Sequence, residues 1–411
     1  MVERSLIRGA LRKLPALAII DAVADTARAW ADVNFPPRQQ CAAAVEVRTG
    51  YSASVVQFAL DQLFAPITSD ALTATIADEL GSVDALDGFI SRAGRPDAFA
   101  DTIGDVCIIA SRTTVGVALL PAVYALCAKC DVTVKDREDQ LIAAFFRTLE
   151  ERHEAFSHAA RAQTFASSDE SAQHLEQFTC VVAFGRDQTL QTIRNACDSN
   201  TRFVGFGSRA SAGYISADAS RDELGISKLL EGAAHDVALY ETEGCMSLHM
   251  LFVEGVSGAE AVARRLAGAL ERASKRFSAG TRDDLSSARF ATTRSAAAFR
   301  ASLGEGVLFA GGDFVVVFSP SHQKPPSLAS RFVSVIPVNE PAEARRYIGR
   351  CEIALEAFAL SDAREDIVQM AIEAGAVRLT RFGELQAPPT AGHHGGRARI
   401  TDFIRWIDRE I

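Results

Sequence analysis

The sequence has no apolar run long enough to cross a bilayer. The longest nearly apolar stretch, Val115–Ala128, contains Pro121 and falls short of the roughly 18 residues that a membrane-spanning helix needs. An earlier apolar stretch, Leu14–Ile20, stops at Asp21 within one amphipathic pattern, which favours a helix of the folded protein over a secretory signal. We therefore expect a cytoplasmic protein.

The sequence also lacks a disulfide framework and an excess of positive charge. Its eight cysteines are scattered without regular spacing, which is typical of a reducing compartment. Lys and Arg number 43 against 52 Asp and Glu, giving a net charge of −9, so nucleic acids and anionic membranes are not favoured partners. The 411 residues, 48% of them hydrophobic and 23% charged, predict two or three ordinary globular domains.

Two α/β patterns follow an amino-terminal helical part. Residues 1–100 predict amphipathic helices, because apolar residues return every three or four positions. From Asp105 onward, short β-rich runs, VALY at 237–240 among them, alternate with helical ones, which predicts βαβ units and a parallel sheet. A second α/β pattern begins after Cys245, with a hairpin signal at Gly311-Gly312 and a closing helix from Thr401.

The most informative single residue is Cys245 in ETEGCMS. It follows a predicted strand and the small residue Gly244, so we expect its thiol on a turn that a substrate can approach closely. A lone cysteine is more often a small buried residue, and the context must decide between these interpretations. His249 lies four residues later on a predicted strand, roughly 13 Å away, and is interpreted as a strand residue and not as a catalytic partner.

Other cysteines and histidines carry weaker signals. Cys127 and Cys130 form a CxxC pair, but no second ligand pair for zinc lies nearby, so we interpret them as structural thiols and expect no metal. His393 and His394 lie in a glycine-rich loop and are interpreted mainly as surface residues, with proton donation or a place at the substrate entry as the alternative.

Several residues follow predicted strands at the edge where open α/β sheets bind ligands. GFGSRAS, with Gly205 and Gly207, follows a strand and begins like a dinucleotide-binding fingerprint, in which Ala at the final position is tolerated. Gly185 lies at another strand-to-helix turn, which favours a phosphate, and Arg186 adds a positive charge or is simply solvated. Lys135 ends the strand DVTVK at the same edge or is only exposed there.

This succession of motifs is similar to the aldehyde dehydrogenase superfamily, and most of all to its acyl-CoA reductase branch. That branch is typified by the fatty acid reductase of bacterial bioluminescence. Its nucleophile motif resembles DVALYETEGCMS, and its carboxyl-terminal segment resembles RFGELQAPPTAGHHGGRARITDFIRWIDREI. The matching stretches cover about residues 104 to 411, whereas the first hundred residues match only loosely.

The resemblance implies an aldehyde dehydrogenase-like α/β fold with a Rossmann-type cofactor domain and an α/β catalytic domain. It places the amino-terminal helices and the cofactor domain within residues 1–238. The catalytic domain with the thiol nucleophile then occupies residues 239–387. Residues 388–411 form a loop and a helix that pack back on the cofactor domain. The superfamily's sheet extension further implies a homo-oligomer.

The resemblance also implies roles in cofactor binding. Lys135 falls where the superfamily's lysine contacts the adenosine ribose, and Glu138 falls where a ribose-binding glutamate often lies. Gly185 matches the glycine that opens the phosphate-proximal helix, although Arg186 replaces the usual serine. The branch typically uses NADPH, but a glutamate tends to repel a 2′-phosphate, so NADH stays open.

Two departures from the superfamily pattern concern catalysis. The segment that resembles the glutamate-leucine-glycine-glycine motif is GFGSRAS, which has no carboxylate to activate water. Because a thioester reductase must keep water out, this absence favours reduction over oxidation. In IIASRTTVG the alignment places Thr113 where an asparagine usually donates to the oxyanion, a role that a threonine hydroxyl fills with shorter reach.

The sequence thus predicts NAD(P)H-dependent reduction of a long-chain acyl-CoA to the aldehyde through a thioacyl-Cys245 intermediate. One alternative is NAD(P)-dependent aldehyde oxidation, which the missing carboxylate disfavours. The other is a catalytically silent partner of an acyl-activating enzyme, for which Thr113, Arg186 and the glycine-rich HHGG loop are the arguments. Such an activating enzyme is also a candidate partner of an active reductase.

Overall fold

A computed structural model describes residues 9–111, 114–136, 140–163, 174–320 and 328–411. The chain divides into two compact units, each assembled from separate stretches of sequence. Unit 1 lies within Met1–Arg48, Val56–Gly207 and Pro389–Ile411, and unit 2 comprises Thr49–Val55 and Ser208–Pro388. None of the helices in these described ranges is both long and apolar enough to span a membrane.

Unit 1 begins with a group of helices, as the periodicity predicts. They are α1 (Ala16–Ala31), α2 (Pro36–Thr49), α3 (Ala53–Phe64) and α4 (Ser69–Leu80). Trp30 anchors their core: its ring is fully buried and lies 5.1 Å from the Phe64 ring and 6.1 Å from that of Phe145. Helix α4 begins at a Thr68 cap, whose side chain accepts a hydrogen bond from the Ala71 N–H, and ends at Gly81 with φ of 85°.

The centre of unit 1 is a five-stranded parallel sheet in the order β5-β4-β3-β6-β7. Its strands are β3 (Asp105–Ile109), β4 (Asp131–Lys135), β5 (Ala160–Gln163), β6 (Cys180–Phe184) and β7 (Arg202–Phe206). Its connecting helices include α5 (Leu119–Cys127), α6 (Leu141–Arg152) and α7 (Asp187–Asn195). The apolar runs VCII and CVVAF lie on neighbouring strands within the sheet, and nearly all of their residues are buried, as in a parallel sheet covered on both faces. The predicted Rossmann-type sheet is therefore confirmed.

The closing helix predicted from Thr401 is wrong. A short 3-10 turn, Thr401–Phe403, leads into strand β15 (Ile404–Arg409), which pairs antiparallel with β2 (Arg95–Thr102) in a three-stranded sheet with β1 (Ile90–Arg92). The ladder places opposite charges across from each other: Arg405 bonds Asp101 at 2.7 Å and Arg409 bonds Asp97 at 2.6 Å. The first hundred residues consequently contain two strands that the helical periodicity did not predict.

Unit 2 is built on a seven-stranded sheet in the order β10-β11-β12-β9-β8-β13-β14. The strands are β8 (Ala210–Ile215), β9 (Leu248–Glu254), β10 (Val307–Ala310), β11 (Val315–Phe318), β12 (Phe332–Val338), β13 (Leu355–Leu360) and β14 (Arg378–Thr380). All neighbours are parallel except β10 and β11, which form the hairpin predicted at Gly311-Gly312. The helices are α8 (Ala217–Arg221), α9 (Glu223–Ala238), α10 (Val256–Arg276), α11 (Asp284–Ser302), α12 (Pro341–Cys351) and α13 (Glu365–Glu373).

Two corrections concern the start of unit 2. The VALY run is not a strand, because α9 continues to Ala238 and a short non-helical turn, Leu239–Thr242, follows it. The GFGSRAS segment leads from β7 into β8 and not into a helix, so it lacks the helix that a dinucleotide-binding fingerprint requires.

The compact units divide after Gly207 and not at 238/239, because β8 and α9 belong to the core of unit 2. Ile215 of β8 and Leu230 of α9 are buried in the same apolar cluster as Leu251 of β9. Residues Pro389–Ile411 group with unit 1, where β15 completes the three-stranded sheet.

Candidate active site

Cys245 lies on a turn immediately before the central strand β9, as expected for an accessible thiol. The Ser247 N–H donates to the Gly244 carbonyl at 3.0 Å, which closes the turn, and β9 begins at Leu248. Cys245 is partly exposed, whereas its neighbours Gly244 and Ser247 are buried. The strand predicted before the turn is absent, but the predicted turn is confirmed.

Hydrogen bonds fix this turn from two sides. The buried Ser211 hydroxyl of β8 donates to the Cys245 carbonyl at 2.9 Å and accepts the Ala357 N–H of β13 at 3.1 Å. On the other side, the Gln386 amide donates to the Ser247 hydroxyl at 2.7 Å. The thiol is therefore carried by a turn whose backbone is tied to neighbouring strands and to the 382–386 loop.

Burial and, to a smaller extent, the negative charge of Glu356 raise the pKa of the Cys245 thiol to about 12. The Arg209 charge and the backbone N–H groups of Cys245 and Met246 act in the opposite direction. Glu356 is itself buried near the start of β13 and pairs with Arg209 at 3.3 Å. Glu356 is not among the site residues predicted from the sequence, although an acidic residue inside the apolar run LEAFAL is a recognisable signal.

The segment that precedes the thiol-bearing turn has an unusual backbone conformation. Tyr240, Glu241 and Thr242 have φ of 51°, 54° and 59°, which forms a left-handed turn without glycine. Such a conformation costs about 1–2 kcal/mol for each residue. Local contacts offset part of this cost: the Thr242 hydroxyl donates to the Val237 carbonyl at 2.8 Å, and the Tyr51 ring lies 6.0 Å from that of Tyr240.

Unit 1 gathers several predicted cofactor residues at one sheet edge. Lys135 is the last residue of β4, and Gly185 directly follows β6 at a strand-to-helix turn, with Arg186 as the N-cap of α7. The Gly185 N–H donates to the Phe206 carbonyl at 3.2 Å. These strands are parallel, so Lys135 and Gly185 lie at the same carboxyl edge.

The two glycines of GFGSRAS lie on or next to β7. Gly205 is inside the strand, where a Cβ atom would lie 2.9 Å from the Phe203 ring. Gly207 follows the strand, and a Cβ atom there would lie 2.2 Å from a carboxylate oxygen of Asp187. Gly207 therefore permits the first turn of α7 to approach the end of β7.

Most of the histidines and cysteines considered in the sequence are packed against other side chains. The His394 ring is not simply exposed: it stacks 4.3 Å from the Phe206 ring and 5.6 Å from the Phe184 ring, whereas His393 is exposed. His249 is buried on β9, and burial lowers its pKa to about 4. Cys127 and Cys130 are fully buried, and burial raises the pKa of each to about 12, which keeps both thiols neutral.

Two predicted site residues, Thr113 and Glu138, lie outside the described residues, so the oxyanion and ribose roles given to them stay predictions. In the ranges that are described, no group of three or more His, Cys, Asp or Glu side chains is placed to hold a metal ion.

Solved structures share the fold over nearly the whole chain. An NAD-dependent benzaldehyde dehydrogenase from Corynebacterium glutamicum is 13% identical, with a TM-score of 0.70 over 97% of this chain and 87% of that one. An oxidoreductase from Marinobacter aquaeolei is 14% identical, with a TM-score of 0.75 over 96% and 86% of the two chains. An indole-3-acetaldehyde dehydrogenase in complex with NAD+ is 14% identical, with a TM-score of 0.72 over 98% and 86%. The aldehyde dehydrogenase fold predicted from the sequence is thereby confirmed.

A family comparison assigns the chain more closely. No curated protein matches the sequence. The family model for acyl-CoA reductase (LuxC) matches residues 11–406, which includes both α/β units and the turn that carries Cys245. The chain therefore belongs to the acyl-CoA reductase (LuxC) family, has the aldehyde dehydrogenase fold, and reduces an acyl-CoA to an aldehyde.

Proposed function

We propose that Cys245 is the nucleophile of this reduction and takes the acyl group from CoA as a thioester. The observation that carries the proposal is the position of Cys245: the residue is partly exposed on the turn before β9, and its thiol lies close to the backbone N–H groups of Cys245 and Met246. Backbone N–H groups at such a turn are suited to hold the oxyanion of a tetrahedral intermediate. Thr113 is proposed as a further donor.

The acylation step needs no reactant other than the Cys245 thiol and the acyl-CoA. Because burial raises the pKa of Cys245 to about 12, the resting thiol is protonated at neutral pH. Its S–H bond breaks as the sulfur forms a bond to the acyl carbon. The C–S bond to CoA then breaks, and CoA leaves as the thiol with the proton. The acyl group remains as a thioester on Cys245.

The chain must keep water from this thioester until reduction. The GFGSRAS segment offers no carboxylate as a base, and its Ser211 hydroxyl is bonded to the Cys245 carbonyl. A second candidate function is aldehyde oxidation. It is favoured by the position of Glu356, because a carboxylate near the thiol can activate water. Its ion pair with Arg209 opposes that role, because the guanidinium occupies a carboxylate oxygen that would otherwise accept a proton from water.

The cofactor is proposed to bind at the carboxyl edge of the unit 1 sheet. A structural neighbour is known in complex with NAD+. The residues here fit a dinucleotide phosphate: no side chain caps the start of α7, and the nearest atoms to a Cβ on Gly185 would be those of Thr189 at 3.7 Å. When bound, the reduced nicotinamide supplies the hydride that converts the thioester to the aldehyde oxidation level.

Individual roles at this edge follow from the resemblance to the family. Gly185 and Arg186 would hold the phosphates, and Lys135 would hold the adenosine ribose. Glu138 is proposed at the same ribose, and Gly205 and Gly207 at the neighbouring strand end. NADPH is the proposed cofactor, with NADH as the alternative.

Location and assembly are further parts of the proposal. The structure describes all eight cysteines and none of them forms a disulfide, which supports a reducing cytoplasm. The family resemblance supports a homo-oligomer and an acyl-activating enzyme as a partner that supplies the acyl group.

The test of Cys245 is a comparison of Cys245→Ala with Cys351→Ala, a control at another partly exposed free thiol. Acetyl-, octanoyl-, palmitoyl- and benzoyl-CoA are each supplied with NADPH or NADH. We expect Cys245→Ala to lose at least about a thousandfold in activity because the covalent step is removed, and Cys351→Ala to stay within about twofold of the wild type.

Mass spectrometry without reductant should show one acyl adduct, mapped to Cys245, in the wild type and in Cys351→Ala but not in Cys245→Ala. Retained activity in Cys245→Ala, or an adduct mapped to another residue, would contradict the assignment.

A further inference from the structure

The left-handed turn Tyr240–Thr242 must be stabilised by contacts from outside the turn. None of its residues is a glycine, and three consecutive left-handed residues are rare in a chain of L-amino acids. The turn ends two residues before Gly244, so its geometry sets the direction in which the chain enters the thiol-bearing turn. Contacts from elsewhere in unit 2 must therefore hold it.

Arg331 bonds to Glu241, the middle residue of the turn, at both the side chain and the backbone carbonyl of Glu241. The Arg331 Nη2 lies 2.9 Å from Glu241 Oε1, and its Nε donates to the same oxygen at 3.0 Å. The Arg331 backbone N–H donates to the Glu241 carbonyl at 3.1 Å. Arg331 itself has φ of 48°, so Arg331 and Glu241 both have the left-handed backbone conformation.

The rest of the Arg331 guanidinium is also bonded. This side chain is fully buried, and its Nη1 lies 2.5 Å from an Asp313 oxygen and 3.1 Å from the Ser274 hydroxyl. Its Nη2 donates to the Phe277 carbonyl at 2.6 Å. A buried guanidinium is stable only when it is paired in this way, and the pairing fixes Glu241 relative to the end of α10.

Three weaker donors complete the environment of the Glu241 carboxylate. Arg282 lies 3.3 Å from Oε2, the Ser330 hydroxyl donates to the same oxygen at 3.2 Å, and the Gly280 N–H donates to Oε1 at 3.3 Å. The carboxylate is thus surrounded by donors on both oxygens. Glu241 is buried, so none of these bonds is strongly screened by solvent.

We propose that Arg331 and Glu241 are positioning residues for the nucleophile: their ion pair holds the left-handed turn, and the turn orients the Cys245 thiol toward the acyl carbon and its backbone N–H toward the acyl oxygen. The inference rests on the proposed role of Cys245. Neither residue takes part in the chemistry.

The experiment compares two reactions of the same sulfur. Acylation by octanoyl-CoA or palmitoyl-CoA depends on how the turn presents the thiol and the oxyanion donors, whereas alkylation by iodoacetamide has no oxyanion to stabilise. The ratio of the acylation rate constant to the alkylation rate constant therefore reports positioning. A purely structural role lowers the melting temperature and leaves this ratio unchanged.

The test variants are Arg331→Lys and Glu241→Gln, with Arg282→Lys as a milder variant if the first two do not fold. The control is Arg38→Lys, the same substitution at another fully buried arginine, which pairs with Asp61 at 2.6 Å in unit 1. We expect the ratio to fall at least tenfold in Arg331→Lys and Glu241→Gln, about threefold in Arg282→Lys, and not in Arg38→Lys.

Two different failures are distinguishable. A wild-type chain that is alkylated at Cys245 but is acylated there by neither thioester would reject the proposed nucleophile, and this inference with it. A wild-type chain that is acylated while the folded variants keep its ratio would reject the positioning role alone.

Discussion

Glu356 is the single residue that most changes the electrostatics of the thiol. It is a buried carboxylate paired with Arg209, and its charge adds to burial in raising the pKa of Cys245. The GFGSRAS segment has no carboxylate, which predicts that it supplies no base to activate water. A carboxylate nevertheless reaches the thiol through β13, a strand more than a hundred residues later in the chain.

Replacing Glu356 with Gln should make Cys245 more reactive toward iodoacetamide. Removal of a nearby anion favours the thiolate, so the pKa of Cys245 falls from about 12 and more thiolate is present at any lower pH. We expect alkylation at pH 8 to be about tenfold faster, which corresponds to a decrease of about one pKa unit. The measurement is the alkylation rate of Cys245 from pH 7 to pH 10.

Glu254→Gln is the matched control for this prediction. Glu254 also pairs with an arginine, Arg364 at 3.0 Å, but it lies at the carboxyl end of β9, whereas Cys245 precedes the amino end. Its substitution should leave the Cys245 profile within about twofold. A Glu356→Gln profile that is unchanged or displaced to higher pH would contradict the electrostatic argument.

The location of Cys245 on a turn could be predicted from the sequence, because Gly244 and the apolar run LHMLFVE are local signals. The residues that orient this turn could not. In the sequence, Arg331 is only a polar residue at the start of an apolar run. Its bonds to Glu241, Asp313 and Phe277 become visible only in the folded chain, where it is buried. Such contacts depend on residues far apart in the chain.

At the scale of the elements, helix α9 and the 382–386 loop pack closely against each other. A Cβ atom on Gly232 of α9 would lie 2.6 Å from the Phe382 carbonyl carbon and 2.9 Å from the Gly383 nitrogen. The same loop is bonded to α9 by the buried Asp236 carboxylate, which accepts the Gly383 N–H at 2.7 Å and the Leu385 N–H at 3.1 Å. The helix therefore sets the position of the loop that bears Gln386.

Gly232→Ala should destabilise unit 2. The new methyl group meets backbone atoms, which cannot rotate away, so the loop or the helix must shift at a cost of roughly 1–3 kcal/mol. Gly349→Ala in α12 is the control, because a Cβ there meets nothing within 4 Å and alanine favours a helix by about 1 kcal/mol. Thermal unfolding should show a lower melting temperature for the first variant and an equal or higher one for the second; equal melting temperatures would disprove the close contact.

The strands that could be predicted are those with apolar, β-branched runs, such as β4, β6 and β12. Strand β8 was missed because ASAGYI is rich in small residues with low strand propensity, and its Gly213 leaves room for the Phe382 ring. Strand β15 was missed because the spacing of its charges resembles a helix, and its partner β2 lies some three hundred residues earlier. Local periodicity does not contain that pairing.

At the scale of the whole molecule, each compact unit is assembled from discontinuous sequence. Unit 1 needs residues Pro389–Ile411 in addition to its earlier stretches, and unit 2 includes Thr49–Val55. Within unit 1, the Arg202 guanidinium donates to the carbonyls of Asp402 and Ile404 at 2.9 and 2.8 Å, and the Tyr124 hydroxyl donates to the Thr390 carbonyl at 3.2 Å.

Deleting residues 389–411 should destabilise unit 1 selectively. The deletion removes β15 from its sheet and leaves the Arg202 guanidinium without these acceptors. Hydrogen exchange measured by mass spectrometry should show faster exchange in β3, β4 and β6, while β9 and β12 of unit 2 keep their protection. A chain that lacks only residues 410 and 411 is the control. Equal loss of protection in both units would show that they unfold together.

The late position of β15 has a consequence for synthesis on the ribosome. Every residue of unit 2 emerges before Pro389, so the nascent chain can complete that sheet while the first unit still exposes the edge of β2. At roughly 5–20 residues per second, translation of the intervening segment keeps this edge open for on the order of ten seconds or more. An unpaired strand edge is a template for aggregation, so we expect the nascent polypeptide to depend on chaperones during this interval.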